Sequence, residues 1–159
     1  RANAVVYTKT NFKAQDFLGL KNIINKNINT GTSVFESTFE QTIKKFSFKN
    51  KSFNDKNIKQ PGFFVGCSGV SNNALFKKMV LESWSTKNTF FSFSDHHNYS
   101  MQDIKDIKKE LNKSKKSCLI TTKKDFYKIY EQFKKYDLFV LDVEHKIKNV
   151  ASLVNLLKK

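Results

Sequence analysis

Two periodicities alternate along the chain. From Gly62 onward, apolar runs of strand length occur at Phe63 to Cys67, Thr89 to Phe93, Ser117 to Thr121 and Leu138 to Leu141. Between them, apolar residues recur at helical spacing: Leu75, Phe76, Met79 and Val80 share one face, as do Met101, Ile104, Ile107 and Leu111, then Phe126, Ile129, Tyr130 and Phe133. A last helix is predicted from Val150, Leu153, Val154 and Leu157, spaced i, i+3, i+4, i+7. Four strand–helix units in a row predict an α/β fold, a parallel sheet with helices on both faces.

The helix starts are marked by chemistry. Ser100 with Asp103 three residues on reads as a capping-box signal, and Tyr99 before it can staple onto Ile104. Thr122 with Asp125 repeats the device. Both helix N-termini therefore fall just after a strand, at the carboxyl edge of the predicted sheet.

The first 50 residues are less regular. Ala4 to Tyr7 predicts a strand, Ala14 to Lys26 a helix with Phe17, Leu20, Ile23 and Ile24 inward, and Val34 to Phe39 a second strand. The polar stretch from Lys49 to Gln60, ending at Pro61-Gly62, has few apolar anchors and predicts a boundary. We expect residues 1–48 to close one α/β domain, 49–61 to link, and 62–159 to form a second. The chain starts at Arg1 and runs straight into an apolar segment, so we expect a fragment.

Composition narrows the function classes. A formal charge of +15 invites a polyanion partner, but of the 29 basic residues only Arg1 is arginine, so the bidentate fork of base recognition is otherwise missing. Lysines lie along every segment beside an excess of Asn, Ile and Phe, which A+T-rich codons explain more simply than a nucleic-acid patch. We expect no nucleic acid as partner, with anionic lipid head groups left open. Cys67 and Cys118 lack zinc-like spacing and read as buried thiols. No apolar run approaches the roughly 20 residues that span a bilayer.

Two stretches could carry chemistry. Asp95-His96-His97, with two of the three histidines in the chain, sits between a strand and a capped helix. A histidine held by a carboxylate can take a proton from a hydroxyl; equally, Asp95 can cap a turn while the imidazoles fill a loop, and a metal site is a third option. Thr121-Thr122-Lys123-Lys124-Asp125 pairs hydroxyls with cations at a helix start, which suits an anionic group or a merely solvated basic face. His145 stands among charges and reads as a surface residue, while Thr8-Lys9 after the first strand is a weak nucleotide signal. None of Gly19, Gly31, Gly62, Gly66 and Gly69 is followed by lysine, so the sequence has no phosphate loop.

Taken in order, the motifs resemble the C-terminal half of the tetraacyldisaccharide 4'-kinase family, the lipid A kinases of Gram-negative bacteria. Arg1-Ala2-Asn3-Ala4-Val5-Val6-Tyr7-Thr8-Lys9 is similar to R-A-D-x-V-V-x-T-K, and Gly69-Val70-Ser71-Asn72 with Phe76 to G-I-x-N-P-x-x-F. Phe93-Ser94-Asp95-His96-His97-Asn98-Tyr99 followed by Asp103 is similar to F-x-D-H-H-x-Y-x-x-x-D, and Leu119 to Asp125 to L-x-T-T-E-K-D. The chain departs at Asn3, Asn73 and Lys123, where the family has Asp, Pro and Glu.

The resemblance implies a P-loop-like, two-domain kinase at the cytoplasmic face of the inner membrane, moving the γ-phosphate of ATP with Mg²⁺ onto the 4'-hydroxyl of a lipid A disaccharide precursor. It implies His96 as the catalytic imidazole, with Asp95 orienting it or shaping its loop. His97, Thr121, Thr122, Lys124 and Asp125 are expected near substrate or phosphate, and Thr8 and Lys9 near the nucleotide. No protein metal ligand is expected. ATP and Mg²⁺ would be held mainly by residues outside this chain, which is expected to be monomeric and inactive alone. Two alternatives stand: a manganese phosphoesterase named for its Asp-His-His motif, although no upstream D-x-D is found, and a basic module binding polyanions or membrane.

Overall fold

The computed structural model describes residues 2–8 and 14–158, with side chains from residue 18 onward in the second segment. Arg1, Lys9 and the side chain of Phe17 lie outside the described residues. The chain forms two compact units, residues 41–142 and residues 1–40 with 143–159.

The larger unit holds the predicted α/β pattern. Strands β4 (Phe63–Ser68), β5 (Lys87–Ser92) and β6 (Ser117–Thr122) alternate with α2 (Asn73–Ser83), α3 (Met101–Leu111) and α4 (Lys123–Ile129), the last continued by a 3₁₀ turn over Tyr130–Phe133. Strand β7 (Asp137–Ile147) enters the sheet next, giving the order β7-β6-β4-β5. The pairs β4–β5, β4–β6 and β6–β7 are all parallel, so each crossover carries a helix. The predicted α/β class with helices on both faces is what forms.

Alternation along the strands explains the two faces. On β4, Val65 and Cys67 join Ile104, Ile107, Leu111, Leu119, Phe126, Ile129, Phe133, Leu138 and Val140 in one core under α3 and α4. Its neighbour Phe64 points the other way, with its ring 5.5 Å from Trp84 at the end of α2 and 5.7 Å from Phe90. Ile107, Leu111 and Val140 are fully buried, and each such side chain contributes about 1.5–3 kcal/mol. Gly66 has a steric reason: a Cβ there would lie 2.3 Å from the Phe90 ring, so the aromatic can cover the strand only where no side chain stands.

The stretch 49–61, expected as a linker, lies inside the larger unit and carries β3 (Ser52–Asn54). It pairs antiparallel with the end of β2 (Ser33–Ser47), placing Phe53 opposite Phe46. One aromatic supplies the anchor: Phe53 stands 5.2 Å from Phe46 and 5.1 Å from Phe126. Lys51, at φ 49°, takes the left-handed position of the turn.

In the smaller unit, β1 (Ala4–Tyr7) pairs parallel with β2, and α1 (Ala14–Asn27) connects them. The helix forms as expected, but Leu20 and Ile23 do not face inward; they are 53% and 63% exposed. Lys21 and Asn25 face the strands instead, Lys21 bonding to Glu36 (2.8 Å) and Asn25 accepting from the Tyr7 hydroxyl (2.9 Å). Those polar partners on β1 and β2 set the rotation, so the stripe made by Ile24 and Ile28 is half-buried and the one made by Leu20 and Ile23 is not. The last helix, α5 (Val150–Leu157), forms with no buried residue. His145 is exposed as expected, its ring 4.2 Å from Phe39 and its Nδ1 3.3 Å from Ser37 Oγ.

Candidate active site

The carboxyl ends of β4, β5 and β6 open on one edge of the larger unit's parallel sheet, where free backbone N–H groups at helix starts favour ligands. Three chain segments leave the sheet there: the loop Gly69–Asn72 after β4, the loop Phe93–Tyr99 after β5, and Thr122, which ends β6 and caps the next helix. The first two are laced together. Phe93 N–H donates to the Ser68 carbonyl (2.9 Å), and the Asn73 side chain donates to the Phe93 carbonyl (2.7 Å). Asn73, which replaces a proline of the resembling motif, thereby supplies a bond that proline cannot.

The two adjacent histidines have opposite surroundings. His97 is stacked on Phe93 with ring centroids 4.4 Å apart, and its Nε2 lies 3.0 Å from Asp103 Oδ2. Asp103 also completes the capping box of α3: Ser100 Oγ accepts from Asp103 N–H, and Asp103 Oδ2 accepts from Ser100 N–H. The contact with His97, then the bonds from Ser100, hold the Asp103 carboxyl below the usual carboxylate range. His97 is therefore fixed as part of the helix start.

His96 is not held in this way. Its side chain is 77% exposed, and its backbone sits at φ 59°, the left-handed region that a β-carbon disfavours by about 1–2 kcal/mol. What keeps it there is Asp95, whose Oδ1 accepts the His96 N–H (3.0 Å) and a bond from Lys124 (3.1 Å). Lys124, before the backbone bond, holds the Asp95 carboxyl low. The nearest approach of Asp95 to the imidazole, Oδ2 to Nε2, is 3.9 Å, beyond hydrogen-bond reach. Asp95 shapes the loop rather than gripping the ring, and the imidazole projects outward.

The Thr-Thr-Lys-Lys-Asp segment divides by depth. Thr121 is 2% exposed and Asp125 fully buried. Thr122 spends its hydroxyl on the cap of α4, accepting from Asp125 N–H (3.1 Å) and donating to Asp125 Oδ2 (2.8 Å). Lys124 reaches the surface beside Asp95, while Lys123 lies 3.5 Å from Asp142, which Lys44 already pairs at 2.8 Å. Burial works against ionisation of Asp142, but Lys44 and Lys123 outweigh it and hold its carboxyl below the usual range. Of the residues expected near substrate or phosphate, the structure thus gives Lys124 an exposed head group, leaves His97 and Thr122 half-buried, and sets Thr121 and Asp125 beneath the surface. Thr8 is exposed at the end of β1 in the smaller unit. Sequence reasoning missed Gly69 and Lys128, whose roles depend on contacts across loops.

The comparisons with known proteins decide the family. The model of the LpxK family, tetraacyldisaccharide-1-P 4'-kinase, matches residues 1–159. The chain belongs to this family. It is 35% identical over 66 residues to a tetraacyldisaccharide 4'-kinase of Bdellovibrio bacteriovorus, covering 42% of this chain and 20% of that protein. A second tetraacyldisaccharide 4'-kinase, from Aliarcobacter butzleri, is 33% identical over 94 residues, 58% of this chain and 27% of its own length. Among solved structures, LpxK from Aquifex aeolicus in complex with ATP superposes with a TM-score of 0.60 at 21% identity, over 99% of this chain and 42% of that one. That likeness establishes the fold. The LpxK-family chain described here therefore spans well under half the length of the relatives it matches.

The site's cofactor chemistry follows from its donors. Among the described residues no three His, Cys, Asp or Glu side chains are placed to hold a metal ion, and Asp95, the carboxylate nearest His96, is taken by Lys124 and its own loop. With no phosphate loop in the sequence, these residues do not fit a triphosphate with Mg²⁺. What they offer is an accessible imidazole on a braced loop beside an ammonium group.

Proposed function

We propose that this chain supplies the imidazole side of an ATP-dependent kinase that phosphorylates the 4'-hydroxyl of tetraacyldisaccharide 1-phosphate in lipid A biosynthesis. His96 takes the proton of the attacking hydroxyl, Asp95 keeps the His96 backbone in its left-handed seat, and Lys124 lies beside the incoming anionic substrate. The observation that carries this reading is the contrast at one loop: His97 is locked by Phe93 and Asp103, while His96 is offered to solvent at the carboxyl edge. A purely structural Asp-His-His turn has no need of an exposed imidazole on strained backbone.

ATP and Mg²⁺ belong in this reading to residues outside the chain, with Thr8 and Lys9 near the nucleotide, so the 159 residues alone should not transfer phosphate. The smaller unit would continue a nucleotide-binding domain. The enzyme would be a monomer seated peripherally on the cytoplasmic face of the inner membrane. No helix of the described residues is long and apolar enough to cross a bilayer, and the +15 charge favours anionic lipid.

The test is a chimaera in which residues 1–159 replace the matching part of the Aliarcobacter butzleri kinase. It should phosphorylate the disaccharide with ATP, and His96→Ala should lower kcat by about 10²–10⁴-fold, the range of a lost general base. An active chimaera indifferent to His96→Ala sinks the assignment, as does phosphate transfer by the isolated chain.

A further inference from the structure

We infer that Asp125 is a positioning residue for the Asp95–His96–His97 loop, a single buried carboxylate to which loops from three strand ends are fastened. A helix cap alone would need Asp125 to engage Thr122 and no more. Its Oδ2 also accepts the N–H of Gly69 at 2.9 Å, from the loop after β4. Its Oδ1 lies 3.7 Å from Lys128, whose ammonium donates to the His97 carbonyl at 2.8 Å, in the loop after β5. The carboxylate thus joins the turn that holds it, the Gly69 turn, and the backbone of the histidine loop.

The packing around it leaves no slack. A Cβ on Gly69 would fall 3.1 Å from His97 Cβ, 3.2 Å from the Ser94 carbonyl and 3.3 Å from Asp125 Oδ1, so the histidine loop rests directly on the glycine backbone. Tyr99, from the same loop, is half-buried with its hydroxyl closed off from solvent. Cys67 in turn neighbours Thr121, and burial pushes its thiol up to about 12, keeping it a neutral wall of this interior. A carboxylate with 0% exposure is costly to bury unless it is paired and hydrogen-bonded. Here one of those partners, Lys128, also bonds the backbone of the loop that presents His96.

The consequence for catalysis rests on the proposed role of His96, but loop position can be read without it. In the 159-residue chain, Asp125→Asn keeps the shape of the side chain and removes the charge that faces Lys128. Amide and imidazole NMR signals of residues 94–99 and of Gly69 should shift or broaden, while methyl signals of Ile107, Leu111 and Val140 stay in place. Gly69→Ala should move the same set by pressing from below, and it gives the readout where Asp125→Asn fails to fold. In the chimaera, Asp125→Asn should lower kcat at least 10-fold with KM for ATP unchanged, and Asp125→Glu should not restore it. Loop signals unmoved in the folded variants overturn the inference whatever the activity shows. Shifted signals with an active, His96-independent chimaera uphold the positioning and refute the base.

Discussion

The same short device opens two neighbouring helices and does different work in each. Ser100-x-x-Asp103 and Thr122-x-x-Asp125 both pair a hydroxyl with an acid three residues on. At α3 the acid stays near solvent, with its side chain 22% exposed, and its bonds are local. At α4 it is fully buried, and one of its bonds reaches a residue 56 positions earlier in the chain. The motif specifies where a helix begins; burial decides whether the cap also holds a site together.

Substitution can break this contrast at its strong end first. Asp125→Ala strands the Gly69 N–H beneath the surface and removes the acceptor of the Thr122 hydroxyl, and about 3 kcal/mol or more of stability should be lost, the scale of two hydrogen bonds to a buried charged group; urea unfolding measures it. Next comes Gly69→Ala, where a methyl group meets His97 Cβ, the Ser94 carbonyl and the Asp125 carboxylate at 3.1–3.3 Å. Overpacking of that kind costs about 1–3 kcal/mol, read as a lowered urea midpoint with unchanged slope. Asp103→Ala should cost only about 1 kcal/mol, an ordinary cap, and should free the His97 ring, visible as faster exchange of its imidazole proton. A loss from Asp103→Ala as large as that from Asp125→Ala would erase the distinction.

Acid sharpens the same comparison by the smallest step. The Asp103 carboxyl is depressed in the folded chain, so its contribution is complete above the unfolded carboxylate range, near pH 4, and fades as pH falls through its lower folded value. The stability gap between the parent and Asp103→Asn should therefore begin to narrow as pH drops below about 4 and close beneath the lower folded value, in urea melts repeated across pH. A gap that persists at the lowest pH would show that the neutral side chain is sufficient.

Much of this fold is legible before any coordinates. The four strand–helix units and both caps follow from apolar periodicity and hydroxyl–acid spacing, because those are local preferences reinforced by burial. The hairpin at 52–54 was hidden, since only Phe53 in a polar stretch marks it and its partners Phe46 and Phe126 are far off in sequence. The rotation of α1 was misjudged because two polar contacts, at Glu36 and Tyr7, outrank its apolar stripe. In the site, the motif names His96 for catalysis and His97 for the substrate's vicinity but does not say what separates two adjacent imidazoles. Left-handed backbone at His96 and a stacked ring at His97 part them, and neither is written in a three-letter motif.

Lys123 stands where resembling kinases carry glutamate, and here it leans toward Asp142. A glutamate at this position would set two negative groups against each other beside Lys44, so the family's residue would not be a neutral edit here. Anyone transplanting segments between relatives should therefore move positions 123 and 142 as one.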